Sequence, residues 1–235
     1  MKIAIITPYY KEDLSIIKRC HHSVLQQNIL KRQDVSLTHF LIADGNAYIE
    51  INAWACQHII LPPSNNYGDT PRGIGAALAS AQNFDALCFL DADNWFSADH
   101  LSNILSLYQT DHPQIITTSR NLYTLDEHFI GKCPEVDGQR FVDTNCYFID
   151  KHAFHICGEW LFKSKKDSVM GDRLFWQYIL KSNIVKLHID IPSVNYSTHY
   201  AAHYQAFALP IPMTAKVYDA MSSTFISYAE FLTQH

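Results

Sequence analysis

The feature that most constrains this chain is an alternation of two periodicities in its first half. Short runs rich in β-branched and large apolar residues (Lys2 to Thr7, Ser36 to Ala43, His58 to Leu61, Ala86 to Leu90 and Gln114 to Thr118) are separated by stretches whose apolar residues recur at helical spacing. Leu14, Ile17, Val24, Leu25 and Asn28 mark one helix, and Ile74, Ala77, Leu78 and Ala81 a second. Leu101, Ile104, Leu105 and Tyr108 mark a third, with Ser97 as its N-cap. Strands that alternate with helices predict an α/β fold with a mainly parallel central sheet covered by helices on both faces. No repeat and no Pro/Ser/Gly-rich linker interrupts the 235 residues, so a single domain over 1–235 is expected. After Asn121 the pattern loosens. The expectations there are a strand near Phe141 to Ile149, a helix from Lys166 to Lys181 and a strand near Val185 to His188. A C-terminal helix is expected to carry Val217, Met221, Phe225, Tyr228 and Leu232.

Composition narrows the function classes. With 48% apolar and 17% charged residues the chain is globular rather than disordered. A net charge of -5 offers no basic footprint, so no nucleic-acid partner is expected. The six cysteines are irregularly spaced without a Cys-x-x-Cys pair and read as reduced thiols of a cytoplasmic protein. The start MKIAIITPYY is too short and too soon broken by Thr7-Pro8 for a signal peptide. No later run approaches the roughly 18 apolar residues of a transmembrane segment. Neither secretion nor membrane insertion is expected.

In open parallel sheets ligands sit beyond the carboxyl ends of the strands. Those ends are polar here: Thr7 to Glu12, Ala43-Asp44-Gly45-Asn46, Gly68 to Gly73, and Asp91-Ala92-Asp93-Asn94. Asp91 and Asp93 place two carboxylates at the end of an apolar run, where unpaired charge costs several kcal/mol. A hard divalent cation, Mg²⁺ or Mn²⁺, would neutralise them and leave positions open for phosphates. The competing reading makes them turn residues before the next helix. Gly73-x-Gly75-x-x-Leu78 lacks the third glycine of a dinucleotide fingerprint, and no P-loop sequence exists.

Taken in order, Thr7-Pro8-x-Tyr10, Asp44-Gly45, the Gly68-Asp69-x-x-Arg72 loop and Asp91-x-Asp93 resemble the motifs of GT-A fold glycosyltransferases, most closely the inverting family 2. The resemblance covers about residues 1 to 200. It implies a Rossmann-like GT-A fold with a donor half over 1–120 and an acceptor half over 121–235. It further implies that Thr7, Pro8 and Tyr10 wrap the nucleotide of a nucleotide-sugar donor, and that Asp44 receives the base edge, usually uracil N–H. Asp69 and Arg72 would approach the nucleotide and its phosphates, Asp91 the ribose, and Asp93 the metal on the diphosphate. The family commonly uses a Glu-Asp pair at a helix start as the base acting on an acceptor hydroxyl. Here Gly171 stands in the Glu position and Asp172 is the match, with Asp167 as competitor.

His199 resembles the late histidine that completes the metal shell in such enzymes. His203, four residues on, shares its face if the segment is helical. No Gln-x-x-Arg-Trp signature follows Gln177, which favours transfer of a single sugar to a glycan or other hydroxyl acceptor over polymerisation. The dense aromatics of the second half, among them Trp160, Trp176, Tyr196, Tyr200 and Tyr204, suit both core packing and stacking on sugar rings. Asp143 and Asn145 are polar where a strand is about to bury itself. Two rivals remain. A sugar-phosphate nucleotidyltransferase would want a Gly- and Lys/Arg-rich loop after the first strand, and Thr7 to Glu12 has no Gly and one Lys. An inactive nucleotide-sugar-binding module of the same fold is kept open by Gly171.

Overall fold

The computed structural model describes residues 1–222 and 224–234. Its centre is a nine-stranded sheet. Strands β1 (Lys2–Tyr9), β2 (Ser36–Asp44), β3 (Gln57–Leu61) and β4 (Ala86–Phe89) are joined in the parallel order β3-β2-β1-β4. Helix α1 (Leu14–Leu25) links β1 to β2, and α2 (Asp69–Ala81) links β3 to β4. The remaining strands are β5 (Trp95–Phe96), β6 (Ile115–Tyr123), β7 (Phe129–Lys132), β8 (Tyr147–Asp150) and β9 (Lys186–Ser197). Beyond β4 the direction alternates: β8 is antiparallel to both β4 and β6, and β6 and β9 are parallel. β5 and β7 pair antiparallel with β9 and β6. The result is a mostly parallel, mixed α/β domain.

Residues Ile3 to Tyr9 are all buried, as a strand covered on both faces requires, and Ile3 to Ile6 read as a continuous apolar run for that reason. α2 lies directly on this sheet. A Cβ at Gly75 would stand 2.6 Å from Ile6 and 2.8 Å from Ile42, so only glycine permits this approach. Gly68, in the left-handed region at φ 81°, turns the chain into the helix. Helices α3 (His100–Asp111), α4 (Glu159–Phe162) and α5 (Gly171–Lys181) complete the cover. Phe89, Trp160 and Phe175 form the aromatic contact that holds α4 and α5 to β4.

Several expectations are corrected. The cap of α3 is Asp99 rather than Ser97, and it makes no side-chain capping bond. The strand expected over Phe141 to Ile149 is broken by a 3₁₀ turn, Thr144–Cys146, because the Asp143 carboxylate accepts the Asn145 N–H; β8 begins only at Tyr147. The helix expected from Lys166 is a 3₁₀ turn, Asp167–Met170, and α5 proper starts at Gly171. α6 (Ala201–Ala206) starts after His199, so His199 and His203 do not share a helical face. The expected C-terminal helix is an antiparallel hairpin, β10 (Lys216–Asp219) with β11 (Thr224–Ser227), followed by the short α7 (Tyr228–Gln234). Apolar residues at 217, 221, 225, 228 and 232 imitate a helical period, but Asp219 accepts the N–H groups of Met221 and Ser222 and closes a turn. All six cysteines are free thiols, and no helix among the described residues is long and apolar enough to cross a membrane.

Candidate active site

The carboxyl ends of β1, β2 and β4 converge as the sheet topology requires, and they treat their polar residues unequally. β1 runs on through Tyr9, which puts Thr7 and Pro8 inside the strand rather than in a loop. The Thr7 hydroxyl is fully buried and hydrogen-bonds His39 Nε2 at 2.7 Å, so its side chain is not offered to a nucleotide. His39 in turn contacts His21 across 2.9 Å. Pro8 packs beside Gly68. Tyr10 stands at the rim, 37% exposed, with the Lys11 ammonium 4.9 Å from its ring centroid. Asp44 ends β2 in a buried position, where one oxygen accepts the Ser64 N–H at 2.6 Å and the other the Ser64 hydroxyl at 2.8 Å. It therefore fixes the Pro/Asn loop that forms one side of the site.

Asp69 and Arg72 open α2 and are both buried. Asp69 lies 3.2 Å from Lys163 Nζ and 3.8 Å from Arg72. Burial raises its carboxyl above the usual range, and the two cations oppose that shift. Lys163, over the Trp160 ring at 3.7 Å, is brought down to about 8 by burial and also donates to the Gly171 carbonyl. Arg72 donates to the Tyr67 carbonyl and to Asp91 Oδ1. Asp91 Oδ2 accepts from the Asn145 amide at 3.1 Å. The first acid of the pair is thus clamped between a guanidinium and an amide.

Asp93 is left more open. Its nearest side-chain partner is His199 Nε2 at 3.5 Å, both groups being about one-third exposed. Arg19, stacked 4.1 Å over Trp95, donates to the Asp93 carbonyl at 2.5 Å and to Ser197 at 3.4 Å, joining the end of β9 to the acidic loop. Asn94 accepts the Ser197 N–H at 2.9 Å and reinforces that joint. No group of three or more His, Cys, Asp or Glu among the described residues gathers around one point. One carboxylate facing one imidazole is a donor set that fits a divalent cation whose other ligands are phosphates and water.

Across from the acidic loop lies a cleft of about 820 Å³ lined by Asp172, Asp143, Arg120, Tyr196, Tyr200 and His203, with the C-terminal hairpin and α7 as its other wall. Arg120 and Asp143 make a buried ion pair at 2.5 Å, and the guanidinium lies 4.0 Å over Tyr196. Asp172 opens α5 and accepts the Arg173 N–H at 2.7 Å. Burial, with the nearby Asp143 charge, pushes its carboxyl up to about 6. Asp167 points elsewhere: it is exchanging hydrogen bonds with Ser164 on the surface. His203 is a buried histidine bonded to Thr198 at 2.6 Å, and burial lowers it to about 3. Of the residues that matter here, sequence reasoning missed Arg19, Arg120 and Lys163. Only Arg120 carried a signal, a lone charge just past the β-rich run ending at Thr118.

A mixed sheet with an acidic Asp-x-Asp loop at the end of β4 and an acid-bearing cleft opposite defines a GT-A architecture. Residues 4–171, well over half the chain, match the family described as Glycosyl transferase family 2, and the chain belongs to that family. Among solved structures it is similar to S. aureus TarS 1-349, with a TM-score of 0.63 and 14% identity over 84% of this chain and 60% of that one. It is likewise similar to TarS 1-349 in complex with UDP, at a TM-score of 0.62 and 13% identity over 88% and 63% of the two chains. For the complex with UDP-GlcNAc the values are 0.60 and 13%, over 88% and 61%. At this identity the likeness is one of fold, and the chain spans about three-fifths of the TarS 1-349 chains it matches. No curated protein matched the sequence.

Proposed function

We propose that the chain is a glycosyltransferase that moves a single sugar from a nucleoside-diphosphate donor, a UDP-sugar, to an acceptor hydroxyl with inversion, in cytoplasmic steps of cell-surface glycan assembly. The observation that carries this reading is the division of labour between Asp91, held by Arg72 and Asn145, and Asp93, turned toward His199 at the open end of the site. Family membership and the UDP and UDP-GlcNAc complexes of similar fold support a nucleotide-sugar donor.

Asp93 and His199 would hold Mn²⁺ or Mg²⁺. A cation there supplies positive charge to a diphosphate leaving group, which gains negative charge as the glycosidic bond breaks. The chain's own residues do the rest. Asp44 and Ser64 order the loop beside the base, and Arg72 keeps Asp91 in place. Asp172 accepts the acceptor hydroxyl proton; its carboxyl near 6 leaves it mostly ionised at pH 7 and close enough to neutrality for efficient transfer. Asp44 is tied to Ser64, Asp69 and Asp91 are clamped by cations, and Asp93 is committed to the metal. No donor-side carboxylate then remains to serve as a nucleophile, which favours direct inversion.

The test is a thermal-shift panel of UDP, GDP and CDP with Mn²⁺ or with EDTA. Saturating UDP with Mn²⁺ is expected to raise the midpoint by about 5 to 10 °C. EDTA or Asp93→Asn removes that increment. Equal UDP stabilisation in EDTA, or an unaffected Asp93→Asn protein, overturns the metal role. Pyrophosphate release from UTP and a sugar phosphate would instead identify a nucleotidyltransferase.

A further inference from the structure

Asn145 is fully buried, and the three polar positions of its amide are all engaged. Its Oδ1 accepts the backbone N–H of Asp91. One Nδ2 hydrogen goes to Asp91 Oδ2 at 3.1 Å and the other to Asp143 Oδ1 at 2.7 Å. The far oxygen of each carboxylate is taken by a guanidinium, Arg72 for Asp91 and Arg120 for Asp143. An unbroken line therefore runs from Arg72 through Asp91, Asn145 and Asp143 to Arg120, from the donor end of the sheet to the cleft that holds Asp172. With two cations, two anions and one neutral amide, the line carries no net charge. Such balance makes a buried polar chain tolerable.

The amide cannot be replaced by a residue of similar size. Only Asn supplies two donors and one acceptor from this short side chain; Asp has the same shape but would put a third carboxylate between two others. The 3₁₀ turn Thr144–Cys146 exists to aim it: Asp143 accepts the Asn145 backbone N–H at 3.0 Å, so the residue that starts the turn is also one of the residues it aligns. A bond serving the turn alone would stop at Asp143. This one reaches a residue 54 positions away and holds both its backbone and its carboxylate.

We propose that Asn145 is a positioning residue for sugar transfer, whose amide holds Asp91 of the donor site and the Asp143–Arg120 pair of the cleft in one register. The proposal rests on the nucleotide-sugar reading above. It acts on the donor through Asp91, so its loss and the loss of Asp91 must not add.

The experiment is a double-mutant cycle on the affinity for nucleoside diphosphate, by calorimetry with Mn²⁺ present, using whichever of UDP, GDP or CDP binds the unmutated protein tightest. Asn145→Asp is expected to weaken binding about tenfold, the scale of a lost hydrogen bond to a charged group. On an Asp91→Asn background the same change should cost less than about twofold. Asn145→Ser, which keeps one donor and creates no new charge, gives an intermediate loss with the same non-additivity and serves if Asn145→Asp does not fold. Equal losses in both backgrounds, or an unchanged affinity in a folded variant, overturn the proposal while leaving the nucleotide-sugar reading intact. Failure of the unmutated protein to bind any of the three overturns that reading, and this proposal with it.

Discussion

The carboxyl ends of the parallel strands and the cleft that holds Asp172 handle the same chemical group in opposite ways. Asp91 is gripped by the Arg72 guanidinium and the Asn145 amide, and Asp69 by Lys163 and Arg72. Asp172, across the site, accepts one backbone N–H and has burial and Asp143 working against its charge. A clamped carboxylate is a fixture for binding, because its partners hold its charge and its position together. A carboxylate without a close ion pair, whose burial outweighs the charges of Arg120 and Arg173, keeps a carboxyl near 6 and can exchange a proton near neutral pH. The difference separates acids whose charge is held by cations from the one whose charge is opposed by its surroundings.

That contrast can be broken at its cleft end with the largest effect. Asp172→Asn should lower sugar-transfer turnover by about 10² to 10⁴ with nucleotide affinity nearly unchanged. The product should have inverted configuration by NMR coupling constants. Normal turnover in Asp172→Asn beside a dead Asp167→Asn enzyme would move the base to the surface turn.

Next in size is the clamp nearest the cleft. Arg120→Gln leaves the Asp143 carboxylate buried without its guanidinium and should destabilise the fold by about 3 to 5 kcal/mol, read from chemical denaturation. A loss under 1 kcal/mol would mean that the pair is not the fixture described here.

Asp44→Ala should weaken UDP binding by about 1 to 3 kcal/mol and blunt discrimination against CDP, measured by calorimetry. Tighter binding of GDP than UDP by the unmutated protein would remove Asp44 from base selection.

The smallest effect sharpens the contrast thermodynamically. The Asp172 carboxyl is raised in the folded state, from 3.8 to about 6, so the folded protein binds more protons than the unfolded one between those values. Its contribution therefore falls as pH rises through that window. Asp172→Asn should accordingly raise the melting midpoint slightly at pH 7 and not at pH 3.5. A midpoint lowered at pH 7 would show that the ionised form is stabilised by the fold. The same carboxyl predicts that turnover declines as pH falls below about 6.

The first half of the chain was legible because a parallel sheet writes itself into sequence. β1, β2 and β4 are buried on both faces, so their apolar runs stop where the ligand side begins, and Asp44, Asp91 and Asp93 mark those stops. The second half was not. Its apolar residues at 217, 221 and 225 imitate a helix, while the Asp219 turn makes a hairpin. The polar triplet Asp143-Thr144-Asn145 interrupts what its neighbours present as a strand.

By itself the sequence determined the α/β alternation of the first half and the acidic ends of its strands, because each depends on local period and on the cost of charge in a strand. Tertiary structure alone decided how each acid is held. Arg72 on Asp91, Lys163 on Asp69, Arg19 on the Asp93 carbonyl and Asn145 between two carboxylates are contacts across 19, 94, 74 and 54 and 2 residues respectively. Hydrogen-bond partners at such separations are set by how the elements pack. No spacing along the chain encodes whether a carboxylate meets a guanidinium or an empty cleft.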